Sequence, residues 1–259
     1  MQTKYEQLLT HYRSGYGELD RLQKDQAHSI EFITTMHILL KHLPKDCSVL
    51  DCCAAGGAYA FPLAKEGYKV TAGDLIQEHV DILNAENKDR LLESVYHGNV
   101  LDMSRFADES FDAVLCMGAL YHLLAREERE KCVAECLRVL KEGGIFIFAY
   151  INRNAVYINQ FNSRRTPTMH DLAELLETGV NGVFYTMDFH EPDRLMERFP
   201  VAKITEVGVN GLMYPLKDRI NEATPDEFSA YMEYHMSTCE QPSLLGHSMH
   251  GLWIGRKIL

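Results

Sequence analysis

Between Ser48 and Tyr150, short apolar runs alternate with amphipathic stretches, and this rhythm leaves few folds open. Ser48–Cys52, Lys69–Gly73, Val95–Gly98, Phe111–Cys116 and Ile145–Tyr150 read as strands. Ala58–Glu66, Glu78–Leu92 and Arg126–Leu140 read as the helices between them, the last ended by Gly143-Gly144. Strands separated by helices must be joined by right-handed crossovers, which puts helices on both faces of a mostly parallel sheet. The expected fold is therefore α/β, Rossmann-like and doubly wound.

The flanks fit around this core. The stretch from Tyr5 to about His42 reads as helix, and residues 1–44 are expected to form a helical lid on a core of residues 45–151. Residues 152–200 are too few for a core of their own, so they read as an inserted cap after the fifth strand, with one helix near Met169–Glu177. Ala202–Val209 and His250–Arg256, in residues 201–259, supply two more strands and make the sheet seven-stranded.

Charge and cysteine usage narrow the function classes. With 26 Lys and Arg against 37 Asp and Glu, the net charge of −11 disfavours broad nucleic-acid binding, which relies on cations neutralising phosphates. No run reaches the roughly 18 apolar residues of a membrane span, and Met1–Asp20 lacks the apolar core of a signal peptide. Seven cysteines, with Cys52 and Cys53 adjacent, suit buried thiols in a reducing cytoplasm rather than a disulfide framework. Cys132 and Cys136 share a helix face and read as core thiols, because no second Cys/His pair at finger-like spacing completes a structural zinc site.

Three stretches carry chemistry. Val49–Gly57 crosses from strand to helix through small residues, which lets backbone approach a nucleotide or simply makes a tight turn; it lacks the G-x-G-x-x-G of dinucleotide-binding proteins. Asp74 follows the second strand directly, where an acid can accept both ribose hydroxyls or cap the next helix. Asn99 and Val100, past the third strand, can meet an adenine edge, or Asn99 can close an Asx-turn.

From about Cys47 to Tyr150 the chain resembles the class I S-adenosylmethionine-dependent methyltransferases of the ubiquinone/menaquinone-biosynthesis type. The resemblance rests on Val49–Gly57, Asp74, Asp108–Leu115 with its Ser-Phe-Asp-Ala-Val, and Leu137–Gly144 with its Arg-Val-Leu-Lys-Glu-Gly-Gly. It implies S-adenosyl-L-methionine as cofactor and a small-molecule methyl acceptor. Asp51, Cys53, Ala55 and Gly57 would line the methionine moiety, and Asp74 with Leu75 the ribose. Asn99 and Val100 would flank the adenine, and the backbone at Met117 and Gly118 would receive the amino group. Cys53 and Ala55 stand where the family's first two loop glycines are expected. That departure keeps a non-catalytic homologue open as an alternative, beside an RNA-modifying enzyme.

Methyl transfer from a sulfonium needs alignment and exclusion of water more than a conspicuous base. Tyr121 and His122, just past the fourth strand, are the candidate catalytic residues at the crevice mouth, with His122 as general base or as a loop-holding group. His190 and His247 are further candidates, with surface or structural roles as their alternatives. Tyr5, Tyr12, Tyr16 and the Tyr16–Arg21 segment are expected to fold over the site, where aromatic faces attract a sulfonium. The oligomeric expectation is monomer or homodimer.

Overall fold

The computed structural model describes residues 4–13, 21–163 and 167–259. The strands are β1 (Ser48–Asp51), β2 (Lys69–Asp74), β3 (Ser94–His97), β4 (Phe111–Cys116), β5 (Leu140–Asn152), β6 (Val180–Asn181), β7 (Phe184–Met187), β8 (Val201–Gly208) and β9 (His250–Lys257). The helices are α1 (Lys4–Arg13), α2 (Gln26–His42), α3 (Ala60–Lys65), α4 (Gln77–Glu86), α5 (Arg126–Val139), α6 (Arg153–Asn162), α7 (Met169–Thr178), α8 (Glu191–Met196), α9 (Lys217–Asn221), α10 (Pro225–Thr238) and α11 (Pro242–Leu245).

The main sheet runs β3-β2-β1-β4-β5, all parallel, then β9 antiparallel to β5, and β8 antiparallel to β9. These are the seven strands the sequence leads one to expect. Among the described residues the full sheet has nine, because the β6–β7 hairpin in the inserted region joins the end of β5 through Ile151–Thr186 and Asn152–Met187.

Period-two alternation divides the core between the two faces. Val49, Ala113, Leu115, Ile145, Ile147, Leu252 and Ile254 pack with Ile38 and Leu39 of α2 and Leu63 of α3. Leu50, Val114, Cys116, Phe146, Phe148 and Trp253 pack with Cys132, Val133, Cys136 and Leu137 of α5. Both faces are covered, so the central strands are apolar on both sides.

The departures from expectation are local and have local causes. The expected single N-terminal helix is two, because Asp25 caps a new one, its carboxylate accepting from the His28 N–H at 2.9 Å. Tyr16 through Asp20, expected to cover the site, lie outside the described residues, and of Tyr5 only the helical backbone is described. The helix expected through Leu92 stops at Glu86, where Asn87 turns the chain and its Oδ1 accepts from the Leu92 N–H at 3.0 Å. The strand expected from Ile145 begins at Leu140, and Gly144 lies inside it. A Cβ there would stand 2.8 Å from the carbonyl oxygens of both Asp112 and Lys141. In the inserted region α6 precedes the expected helix, started by Asn152, whose side chain accepts from the Asn154 N–H. Helices α9 to α11 fill the interval between β8 and β9. Among the described residues, no helix is long and apolar enough to cross a membrane.

Candidate active site

The carboxyl ends of β1, β2, β3 and β4 open onto one crevice, the usual ligand position in an open parallel sheet. The loop after β1 continues the ladder pattern before turning: the Cys52 N–H donates to Leu115 O at 3.1 Å and the Ala54 N–H to Gly73 O at 2.9 Å. Ala55 then takes a left-handed φ of 45°, and its N–H donates to Asp74 Oδ2 at 2.9 Å. Ala55 thus holds the backbone conformation that glycine adopts without strain.

Asp74 is 7% exposed and joins two segments, because its Oδ1 accepts from the Ile76 N–H at 2.8 Å. His79 Nδ1 stands 3.2 Å from the same oxygen. The helix that follows takes no side-chain cap from Asp74, so the capping alternative fails. Asn99 does close the Asx-turn weighed from sequence, its Oδ1 accepting from the Leu101 N–H at 2.9 Å, and it lines the crevice as well.

This crevice encloses about 780 Å³, including space open to solvent. Cys53, Ala55, Asp74, Leu75, Asn99, Val100, Met117 and Gly118 all line it, together with Tyr121 and His122. Asp51 and Tyr121 face an adjoining chamber that shares Cys53, Ala55 and Met117 with it. Gly57 lies elsewhere: it is buried at the foot of the loop with φ 88°, and a Cβ there would meet Phe61 at 2.6 Å. Its part is to let the turn close against α3.

Asp51 is buried to 1% exposure, and its Oδ1 has no hydrogen-bond partner. Burial pushes its carboxyl up to about 7, against the pull of the Cys53 N–H. An orphaned carboxylate oxygen is costly unless a ligand donates to it. Asp51 therefore fits a cofactor carrying an ammonium group, and the donor and acceptor set around the crevice fits an adenosine.

A second chamber lies beyond Tyr121, lined by Tyr12, Arg21, Tyr121, Asn159, Gln160, Phe184 and His250 among others. Tyr121 borders all three spaces, with its hydroxyl donating to Met117 O at 3.2 Å. His122 Nδ1 lies 3.4 Å from Val183 O and Nε2 lies 2.8 Å from the Tyr12 hydroxyl. Both ring nitrogens are thus engaged across elements, the loop-holding arrangement weighed from sequence. Arg129 fixes the same turn from below, donating to Leu123 O at 2.7 Å and Leu124 O at 2.9 Å.

The other two histidines are not brought into this cleft. His190 is exposed at the start of α8, and His247 is exposed beside α6 and α7. Instead, sequence reasoning missed a buried polar network on the wall of the second chamber. Arg21 grips Glu31 with two N–H donors at 2.6 and 2.7 Å, and Asn210 Nδ2 donates to the same carboxylate at 2.8 Å. His250 Nδ1 stands 3.1 Å from Glu31 Oε2. Burial would raise Glu31, but His250 and Arg21 outweigh it and hold the carboxyl well below its usual range. These residues are far apart in sequence and carry no shared motif, so only an acid in the apolar face of α2 hinted at them.

Comparison with known proteins places the core of this fold among known families. Residues 50–148 match the family model described as a methyltransferase domain. Residues 50–148 thus form a methyltransferase domain of the class I S-adenosylmethionine-dependent kind. Its family cofactor is S-adenosyl-L-methionine. The chain is 34% identical over 124 residues to glycine/sarcosine N-methyltransferase of Aphanothece halophytica, covering 46% of this chain and 45% of that protein. It is 26% identical over 153 residues to ubiquinone biosynthesis O-methyltransferase of Rickettsia akari, covering 58% and 59%. The chain thus spans about half the length of these curated relatives. A structure titled as a SAM-dependent methyltransferase, from Methanosarcina mazei, shares the fold with a TM-score of 0.61 at 20% identity, over 86% of this chain and 97% of that one. A protein from Pyrococcus horikoshii does so with a TM-score of 0.60 at 17% identity, over 94% and 100%.

Proposed function

We propose that the chain is a cytoplasmic methyltransferase that moves a methyl group from S-adenosyl-L-methionine to an oxygen, nitrogen or carbon of a small molecule. The observation that carries this reading is the adjacency of two spaces: a crevice at the ends of β1 to β4 shares Tyr12 and Tyr121 as walls with a second chamber lined by residues of the inserted cap. Both compared relatives are named for small-molecule methylation, one on nitrogen and one on oxygen. All seven cysteines are free, in keeping with a reducing compartment.

In this reading Asp74 accepts the ribose hydroxyls, beside Leu75. Asn99 and Val100 flank the adenine, and the loop from Asp51 through Cys53 and Ala55 holds the methionine moiety with the Met117–Gly118 backbone. The bound cofactor supplies an activated methyl group, already a good electrophile. Tyr121 stands between the two spaces and orients what passes between them. His122, tied to Tyr12 and Val183, holds the cap and α1 over the opening and helps exclude water. Asn159, Gln160 and Asn181 line the acceptor side with amide donors and acceptors, which suits a polar metabolite.

Titration calorimetry with S-adenosyl-L-methionine and S-adenosylhomocysteine tests the reading. Binding of both is expected; binding of neither would overturn it. Incubation of metabolite extracts with methyl-labelled cofactor then identifies the acceptor.

A further inference from the structure

Five of the seven cysteines converge beneath the crevice, although they come from the β1 loop, β4 and α5. The Sγ atoms of Cys116, Cys132 and Cys136 all lie within 4.8 Å of one another, and Cys116 and Cys132 are 3.6 Å apart. Cys52, Cys53 and Cys116 make a second triple within the same limit, with Cys52 and Cys53 at 3.8 Å. Cys116 is common to both. We propose that Cys116, Cys132 and Cys136 form a buried site for a soft monovalent cation, Cu(I), reached from the crevice by way of Cys53 and Cys52.

The reading of Cys132 and Cys136 as core thiols rested on the lack of further ligands along the sequence; β4 supplies the third. With metal–sulfur bonds of about 2.3 Å, three sulfurs around a trigonal ion stand about 4 Å apart, close to the spacing found. Thiolates in dry surroundings select soft ions. Cys116, Cys132 and Cys136 are fully buried among Val114, Leu120, Val133 and Leu137. Ligand number decides the ion: structural zinc takes four tetrahedral ligands, whereas three sulfurs at this spacing suit a soft monovalent ion. An entry path exists, because Cys53 is partly exposed and lines the crevice while its sulfur touches that of Cys52. Each thiol that becomes a thiolate ligand releases one proton, and no sulfur is oxidised.

The test uses the full chain, reduced and free of oxygen, with Cu(I) presented as its coloured bathocuproine disulfonate complex. Transfer of one equivalent to the protein, with release of protons, is expected. Cys116→Ala and Cys132→Ala should each weaken binding roughly 100-fold or more, with circular dichroism and melting confirming that each variant is folded. Cys47→Ala and Cys239→Ala, which remove thiols outside the cluster, should bind as the parent does. No transfer, equal affinity in folded Cys116→Ala and Cys132→Ala, or uptake of Zn²⁺ in preference to Cu(I) would overturn the proposal. No methyl donor is present, so failure here is distinct from failure of the methyltransferase reading.

Discussion

The hydroxyl of Tyr12 lies 2.8 Å from Nε2 of His122, joining the N-terminal helix to the turn after β4 across 110 positions of sequence. With Nδ1 donating toward Val183 O, Nε2 is the acceptor and the tyrosine the donor. Replacing Tyr12 by Phe removes that bond and leaves the ring. A net loss of about 1 kcal/mol in docking of α1 is expected, read as roughly fivefold faster amide exchange in Lys4–Arg13. His122→Gln should lower turnover while leaving the pH profile of kcat/KM unchanged in shape. Loss of a limb of that profile would make His122 the base rather than a positioning residue.

Cys53 and Gly118 are sterically linked across the crevice floor. A Cβ on Gly118 would stand 2.9 Å from Cys53 Cβ, closer than such atoms approach. Gly118→Ala should therefore reduce both stability and cofactor affinity, and Cys53→Gly should restore much of the loss. A double-mutant cycle on melting and on calorimetric affinity should give a favourable coupling of about 1–3 kcal/mol. Additive effects would show that the floor adjusts some other way.

Ala55 carries strain that the family's glycine would lack. Its φ of 45° costs an L-residue about 1–2 kcal/mol, and glycine would forfeit about 0.4–1 kcal/mol of that gain through unfolded-state entropy. Ala55→Gly should raise stability by a few tenths to about 1 kcal/mol, seen as a higher melting temperature. Cofactor affinity should be unchanged, because the N–H to Asp74 is kept. A lower melting temperature would mean that Ala55 packs more than it strains.

The loop also shows what sequence can and cannot disclose. Asp74, Asn99 and Met117 were legible because strand ends fix where such residues sit, and the apolar runs that mark the strands are short-range patterns. Gly57 fitted the motif but not the crevice, since its φ serves the turn against α3 rather than a ligand. Helix α6 was hidden because Tyr157, Asn159, Gln160 and Phe161 obscure an apolar stripe that amounts to little more than Ala155 and Val156. Glu31, Asn210 and His250 meet only through tertiary packing, and nothing local to any one of them announces the others.

Asp74 couples ligand binding to loop support. Its two oxygens already accept from Ala55 and Ile76, so removing the side chain costs the loop as well as the ribose. Asp74→Ala should weaken S-adenosyl-L-methionine by about 100-fold, in line with about 3 kcal/mol for lost charge-assisted bonds. Asp74→Asn retains one acceptor oxygen and should fall between. Unchanged affinity in Asp74→Ala would refute the ribose assignment.

His235 gives the fold a pH dependence away from the site. It is buried between α10 and the α2 face, with Nε2 3.0 Å from Thr34 Oγ1, and its ring lies 2.6 Å from where a Gly211 Cβ would be. Burial lowers its pKa to about 4, against the smaller upward pull of a backbone bond at Val209. Unfolded, it titrates near 6.5. Between those values the unfolded chain binds the proton and the native one does not, so stability rises with pH across the window and is lost as pH falls through it. The span corresponds to about 3 kcal/mol for this one group. His235→Gln, which keeps a polar group toward Thr34 without a titrating ring, should flatten the denaturation midpoint between pH 6.5 and pH 4 relative to the parent. Identical slopes for parent and variant would show that the ring is already protonated when folded, or that it gains access to water.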